Sequence, residues 1–111
     1  MGKSALLAWA SPVPDRTAEF ADWYEKVHIP EVRAAIPSIT QVKRYRLVDP
    51  ADPERPARFL TVYNLGEVDV AEAAQRLGAA VAAGGLVPSD AMDLAGDPPA
   101  LQWYALESDE Q

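Results

Sequence analysis

Residues 4–10 read Ser-Ala-Leu-Leu-Ala-Trp-Ala, an apolar run on both sides of a two-residue alternation. Successive side chains of a strand point to opposite faces, so a strand of this composition needs cover on both of them. The same pattern returns three times. Residues 39–48 form a β-branched and aromatic run, 58–65 read RFLTVYNL and close on Gly66, and 101–107 read LQWYALE. In three of the four runs large apolar groups fall on both faces: Leu7 and Trp9 against Leu6 and Ala8, Phe59 and Tyr63 against Leu60 and Val62, and Leu101 and Trp103 against Tyr104 and Leu106.

The segments between these runs carry a different period. Ser11-Pro12-Val13-Pro14 ends the first strand, Asp15 stands where it can cap a helix, and Glu19 suits the positive end of the helix dipole. Phe20, Trp23, Tyr24, Val27, Glu31 and Val32 then recur at three- and four-residue spacing on one helical side, which His28 shares. Pro30 has no amide hydrogen to give the carbonyl of Lys26, so a kink or break is expected there, and Pro37 stops any continuation. Residues 49–56 hold three prolines and read as a loop joining two strands of a hairpin. Asp69 and Glu72 resemble a capping box ahead of an alanine-rich helix over 70–83, which Gly84-Gly85 ends. Residues 86–95 are ambiguous, with a short helix expected near Ser89 to Leu94. The order is βαββαβ with right-handed crossovers, an α+β ferredoxin-like plait with an antiparallel sheet. Both helices of such a plait lie on one face, which leaves the other an apolar patch larger than soluble monomers usually expose. A second sheet about ten ångströms away, from a two-fold related copy, is the economical cover.

Composition narrows the function. A chain of 111 residues fits one domain, 1–111, and buries roughly two-thirds of its unfolded surface. No cysteine occurs, which excludes disulfides and sulfur-built metal sites, and a cytoplasmic address is expected. The N-terminal apolar run is too short to span a bilayer, so no membrane partner is expected. A net charge of −7 repels phosphate backbones, so no nucleic-acid partner is expected either. In the one basic cluster, alternation sends Lys43 to one face and Arg44 and Arg46 to the other. These are either solvated strand residues or contributors to an anion-binding cavity.

The stretch Phe20-Ala21-Asp22-Trp23-Tyr24-Glu25-Lys26-Val27-His28-Ile29-Pro30, followed by Ile36-Pro37 and Val42-Lys43-Arg44-Tyr45, resembles the dimeric α+β barrel superfamily and, within it, the EthD-like proteins. Members there often show F-x-x-(Y/W)-(Y/W)-x-x-x-H-x-P on the first helix and an R-Y pair entering the second strand. The strand order extends the resemblance over the whole chain, while the motif spans residues 20 to 45. Ser38 departs from the glycine that often follows the proline. The resemblance implies a homodimer paired through the sheet face, and activities as different as polyketide cyclisation, lactone isomerisation and cofactor-free oxygenation.

His28 is the only histidine and the one side chain whose unperturbed pKa lies near neutrality, which suits it to general acid–base work. Tyr24, one turn before it, and Glu31, three residues after it, complete the candidate catalytic group, with Glu31 orienting the ring and the freed Lys26 carbonyl able to accept a ring N–H. A packed histidine that fixes the kink is the competing reading. Trp9, Trp23, Arg44, Tyr45, Tyr63 and Trp103 are candidate substrate-binding residues, with Tyr63, Tyr45 and Arg44 as donors to a developing enolate or phenolate oxygen. Ordinary core and interface aromatics are the alternative for each. One histidine without a carboxylate cluster assembles no metal site, and no cofactor is expected, haem on His28 having no further support. The expected function is a cofactor-independent cyclase, isomerase or dehydratase acting on a small apolar carbonyl or polyketide-like substrate. A cofactor-free monooxygenase and a non-catalytic ligand-binding module are the alternatives.

Overall fold

A computed structural model describes residues 3–109. The elements run β1 (Ser4–Ala10), α1 (Thr17–Trp23), a π-helical turn (Tyr24–His28), α2 (Ile29–Ala35), β2 (Gln41–Arg46), β3 (Phe59–Gly66), α3 (Val70–Ala82) and β4 (Ala100–Ala105). The strands form one sheet in the order β2-β3-β1-β4, and each neighbouring pair is antiparallel. This is the α+β, ferredoxin-like plait read from the strand and helix periods.

The register sorts the side chains. Leu6 lies opposite Tyr63 on one side and Trp103 on the other, and Ala8 lies opposite Thr61. These residues face the helices, and Leu6, Tyr63, Thr61 and Leu65 are essentially inaccessible to water. Val32 and Ile36 of the first helical arm and Ala73 of α3 close over them as one core cluster. Phe20 and Tyr24 build a second cluster with Ala10 and Ala91. A buried side chain of this size contributes about 1.5–3 kcal/mol by leaving water, so the two clusters together fix helices to sheet. On the other face Leu7 pairs with Val62 and Trp9 with Leu60, while Tyr45 lies opposite Leu60 from β2. Among the described residues no helix crosses that face. The radius of gyration of 14.8 Å exceeds the roughly 13 Å of a compact chain of this length, and extents of 42 × 39 × 21 Å describe a two-layer slab.

Several local expectations change. Strand ends move by one or two residues, most at β2, where Ile39, Thr40, Leu47 and Val48 fall outside the strand. Asp15 does not cap α1: it sits at φ 70 in a turn, the N-cap position falls to Arg16, and Arg16 pairs with Glu19 and Asp90. Asp69 does stand at the N-cap of α3, and its carbonyl accepts from Ala73 N at 3.0 Å. The helix expected near Ser89 to Leu94 is absent. That stretch is tied instead to the end of β1, through Val13 N to Ala91 O (2.7 Å) and Asp93 N to Ser11 O (2.8 Å). Gly66 is required by its conformation: at φ 74, a Cβ there would lie 2.8 Å from the Ser38 carbonyl oxygen. No helix among the described residues is long and apolar enough to cross a membrane.

The residue that shapes the first helical arm is Pro30. The helix does not break there. It widens by one residue, so that Ile29 N bonds to Tyr24 O, five residues back, and α2 then resumes with the proline in its first turn. The loss of one hydrogen-bond donor is absorbed by a π-turn instead of a kink.

Candidate functional site

The π-turn decides what His28 touches. In a regular α-helix, residues five apart point in well-separated directions, since each residue turns about 100°. The wider turn brings them to one side. His28 therefore stacks on Trp23, with ring centroids 4.8 Å apart and planes at 25°, and meets Tyr24 edge-on, also at 4.8 Å. Trp23 and Tyr24 are perpendicular to each other at 5.7 Å, so the imidazole sits in a corner made by two aromatic rings. Burial in that corner lowers the His28 pKa, and the nearby Glu31 carboxylate opposes the shift. The imidazole is held towards its neutral form, in which one nitrogen accepts a proton.

Tyr24 joins His28 to the sheet. The residue is 2% exposed and its ring packs on Phe20 at 5.4 Å. The Arg44 guanidinium, projecting from β2 on the helix-facing side, lies 4.9 Å from the centroid of Tyr24 and 4.9 Å from that of Phe59. Its Nη1 reaches Glu25 Oε1 at 3.3 Å, whereas Nε and Nη2 are buried with no partner among the described residues. Tyr63 projects from β3 into the same region. Burial, first, and then the neighbouring Tyr24 raise the pKa of its phenol, while the Arg44 charge lowers it. The Tyr24 hydroxyl is within reach of Tyr63 Oη and its hydrogen bond contributes to that rise, although the pair falls short of full hydrogen-bond geometry. Buried donors left unpaired cost about 1–3 kcal/mol each, and Nε and Nη2 of Arg44 are two such groups in one neighbourhood.

The predicted residues therefore divide. His28, Tyr24, Trp23, Arg44 and Tyr63 come together. Glu31 does not hold the imidazole. Its Oε1 accepts from Val87 N at 2.9 Å, while Trp23 Nε1 donates to Val87 O at 3.1 Å, so two side chains flanking His28 grip one backbone residue of the 86–89 segment. No hydrogen bond joins the His28 ring to the Lys26 carbonyl among the described residues. Tyr45 points away from Arg44 and Tyr63, because neighbours on a strand alternate, and it lies half exposed on the open face beside Trp9 and Leu60. Trp103 faces the helices from β4, packed against Leu6 and the main core. Glu25, Phe59 and Val87 were not singled out from the sequence. Each acts across 15 or more positions of chain, which local spacing does not reveal.

Two surface depressions open on the bare side of the sheet. One of about 440 Å³ is lined by Trp9, Tyr45 and Leu60 among others, and one of about 450 Å³ by Ala5, Val62, Asn64 and Tyr104 among others. His28, Arg44 and Tyr63 line neither of them. Among the described residues no group of three or more histidine, aspartate or glutamate side chains is placed to hold a metal ion.

No family model matches the chain, and no curated protein matches it. Solved structures do resemble it. An EthD family protein from Bacillus halodurans aligns over 97% of this chain and 99% of its own at 17% identity, with a TM-score of 0.48. A dimeric ferredoxin-like protein of unknown function from Thermobifida fusca aligns over 96% and 93% at 16% identity, with a TM-score of 0.46. An EthD-like protein from Ralstonia eutropha aligns over 99% and 97% at 12% identity, with a TM-score of 0.52. The last shows that the chain has the EthD-like, ferredoxin-type fold from end to end. At these identities the likeness is one of fold.

Proposed function

We propose that the chain is a cofactor-independent proton-transfer enzyme, working as a homodimer on a small, largely apolar carbonyl compound. The observation that carries this reading is the half-buried imidazole of His28, held towards its neutral form and joined through the Tyr24 ring to Tyr63 and to the unpartnered Nε and Nη2 of Arg44. In the step this arrangement suits, the imidazole removes a proton from the carbon next to a carbonyl. The C–H bond breaks, its electron pair passes to the carbonyl oxygen as an enolate, and Tyr63 donates to that oxygen with the Arg44 charge nearby. The imidazolium returns the proton at another atom, which completes an isomerisation, a cyclisation or a dehydration. The aromatic corner keeps the base uncharged until it acts.

The dimer follows from the open face. The accessible surface of 7168 Å² is well above the roughly 6,000 Å² of a compact monomer of this length. A standard interface removes about 800 Å² from each partner, and Leu7, Trp9, Leu60, Val62, Tyr45 and Tyr104 offer it an apolar surface. A second reading, ligand binding without chemistry, is favoured by the depression at Trp9 and Tyr45, which such pairing would enclose on the face away from His28.

Deuterium exchange separates the readings. In D2O, the α-protons of 2-tetralone should be replaced faster with the protein than in buffer, and His28→Ala should return the rate to that of buffer without loss of fold. Exchange that proceeds equally well in that variant, or no acceleration by the unmodified protein, counts against the enzyme. Oxygen uptake with the same ketone would point to an oxygenase instead.

A further inference from the structure

The corner that holds His28 has one fixed wall and one held only from the surface. Tyr24 is buried and belongs to the second core cluster. Trp23 is half-buried, and its ring lies over the imidazole with the planes 25° apart. A hydrogen bond from Nε1 to the Val87 carbonyl, at 3.1 Å, fixes the indole in that position. Glu31 completes the grip by accepting from Val87 N at 2.9 Å. Trp23 also borders a depression of about 730 Å³ whose far wall includes Pro88, Ser89 and Asp90. Among the described depressions none is lined by His28. The indole thus touches the imidazole and the opening, which do not touch each other.

Val87 belongs to a short strap between two anchors. Leu86 packs against the main core, and Ala91 is fully buried, its carbonyl accepting from Val13 N at 2.7 Å. Between the anchors Val87, Pro88 and Asp90 are exposed. Among the described residues, the hydrogen bonds from this span to the helical arm all involve a side chain of the arm: Trp23 and Glu31 to Val87, and Arg16 to Asp90. Solvent-exposed bonds of this kind contribute little individually, and a segment with few buried apolar contacts opens locally long before its domain unfolds.

We infer that Trp23 is the gate of the His28 site and that residues 87–90 are its latch, so that release of Val87 by Trp23 and Glu31 lets the indole swing off the imidazole and joins the depression to it. The inference deepens the proton-transfer reading and rests on it only for what the imidazole then does. It supplies the route by which a small apolar compound reaches a base that the closed latch covers.

Diethyl pyrocarbonate, which acylates neutral imidazole, tests the gate. The chain has one histidine, so the absorbance of the carbethoxylated ring reports on His28 alone. At pH 8 the ring is neutral with or without the Glu31 charge, because burial already holds its pKa below 6.5. Glu31→Ala, which removes the acceptor for Val87 N, should raise the modification rate about fivefold, the factor for the loss of one net hydrogen bond. Trp23→Phe, which keeps a ring over the imidazole and loses the indole N–H, should raise it as well. Glu31→Gln keeps an accepting oxygen and should stay within about twofold of the unmodified protein. In Glu31→Ala the Val87 amide should exchange faster with deuterium while the amides of β1 and β3 keep their protection. Equal modification rates in Glu31→Ala and the unmodified protein would overturn the gate, as would a Glu31→Gln rate as high as that of Glu31→Ala, or protection lost throughout the sheet. If the rates fall in the expected order while no variant exchanges ketone protons, the gate stands and the proton-transfer reading falls.

Discussion

Replacing Tyr63 with Phe should make the protein more stable and less active. Tyr63 is 1% exposed, lies between Val42 and Leu6 in the sheet, and fills its place in the core with a ring that the substitution keeps. What the substitution removes is a hydroxyl that meets its neighbour Tyr24 without full hydrogen-bond geometry. Such a group costs the fold about 1–3 kcal/mol in lost hydration, and phenylalanine removes that cost without opening a cavity. In a domain of about 100 residues each kcal/mol moves the melting temperature by roughly 4–8 °C, so a rise of at least about 4 °C is expected. Thermal unfolding followed by circular dichroism, with urea titration to confirm an unchanged m-value, measures it. The same variant should lose roughly tenfold or more in ketone deuterium exchange, because the enolate then lacks its donor. A variant that is destabilised by a kcal/mol or more would mean that the hydroxyl donates in the native state, and the reasoning would fail. One that is stabilised yet fully active would remove Tyr63 from the chemistry.

Three further outcomes follow from other parts of the molecule. Because burial depresses the His28 pKa below 6.5, its contribution to stability is complete above pH 6.5 and declines as the pH falls towards the folded-state pKa; urea midpoints between pH 8 and 5 should fall less in His28→Gln, and parallel curves would contradict this. Leu7→Asp places a charge at the centre of the open face, opposite Val62, and should shift sedimentation from dimer to monomer with circular dichroism unchanged; a dimer that persists would place the interface elsewhere. Gly66→Ala meets both a positive φ and the Ser38 carbonyl oxygen, so it should cost more than about 1 kcal/mol in a denaturant titration, and a neutral result would show that the β3 terminus relaxes freely.

The fold was legible because its signals are local. Each strand announces itself by alternation, and Gly66 and Gly84 mark ends where a positive φ is needed. The faces of β2 also followed from alternation alone, which separated Lys43 from Arg44. The site was legible in part. The three- and four-residue spacing of a helix joins Tyr24 to His28, and the missing donor at Pro30 announces an irregularity. It does not say whether the helix will kink or widen, and only the widened form lets Trp23, five residues before His28, stack on it. The same spacing argument placed Glu31 beside the imidazole, but its carboxylate found a stronger claim in the backbone N–H of Val87, 56 positions away. Tyr45 was grouped with Arg44 as a donor, although adjacent strand residues cannot face the same side. Pairings such as Arg44 with Glu25 and Phe59 arise from how the helical arm lies across the sheet, and no sequence period encodes them.

Because the chain has one histidine, a two-dimensional ¹H–¹⁵N spectrum optimised for imidazole nitrogens reports on His28 without any assignment. Followed from pH 8 to pH 4.5, the two ring nitrogens should show one neutral tautomer at pH 7 and a titration midpoint below 6.5, as an imidazole enclosed by Trp23 and Tyr24 requires. A midpoint at or above 6.5, with the two tautomers exchanging as they do in water, would place the ring in solvent and contradict the account of the site.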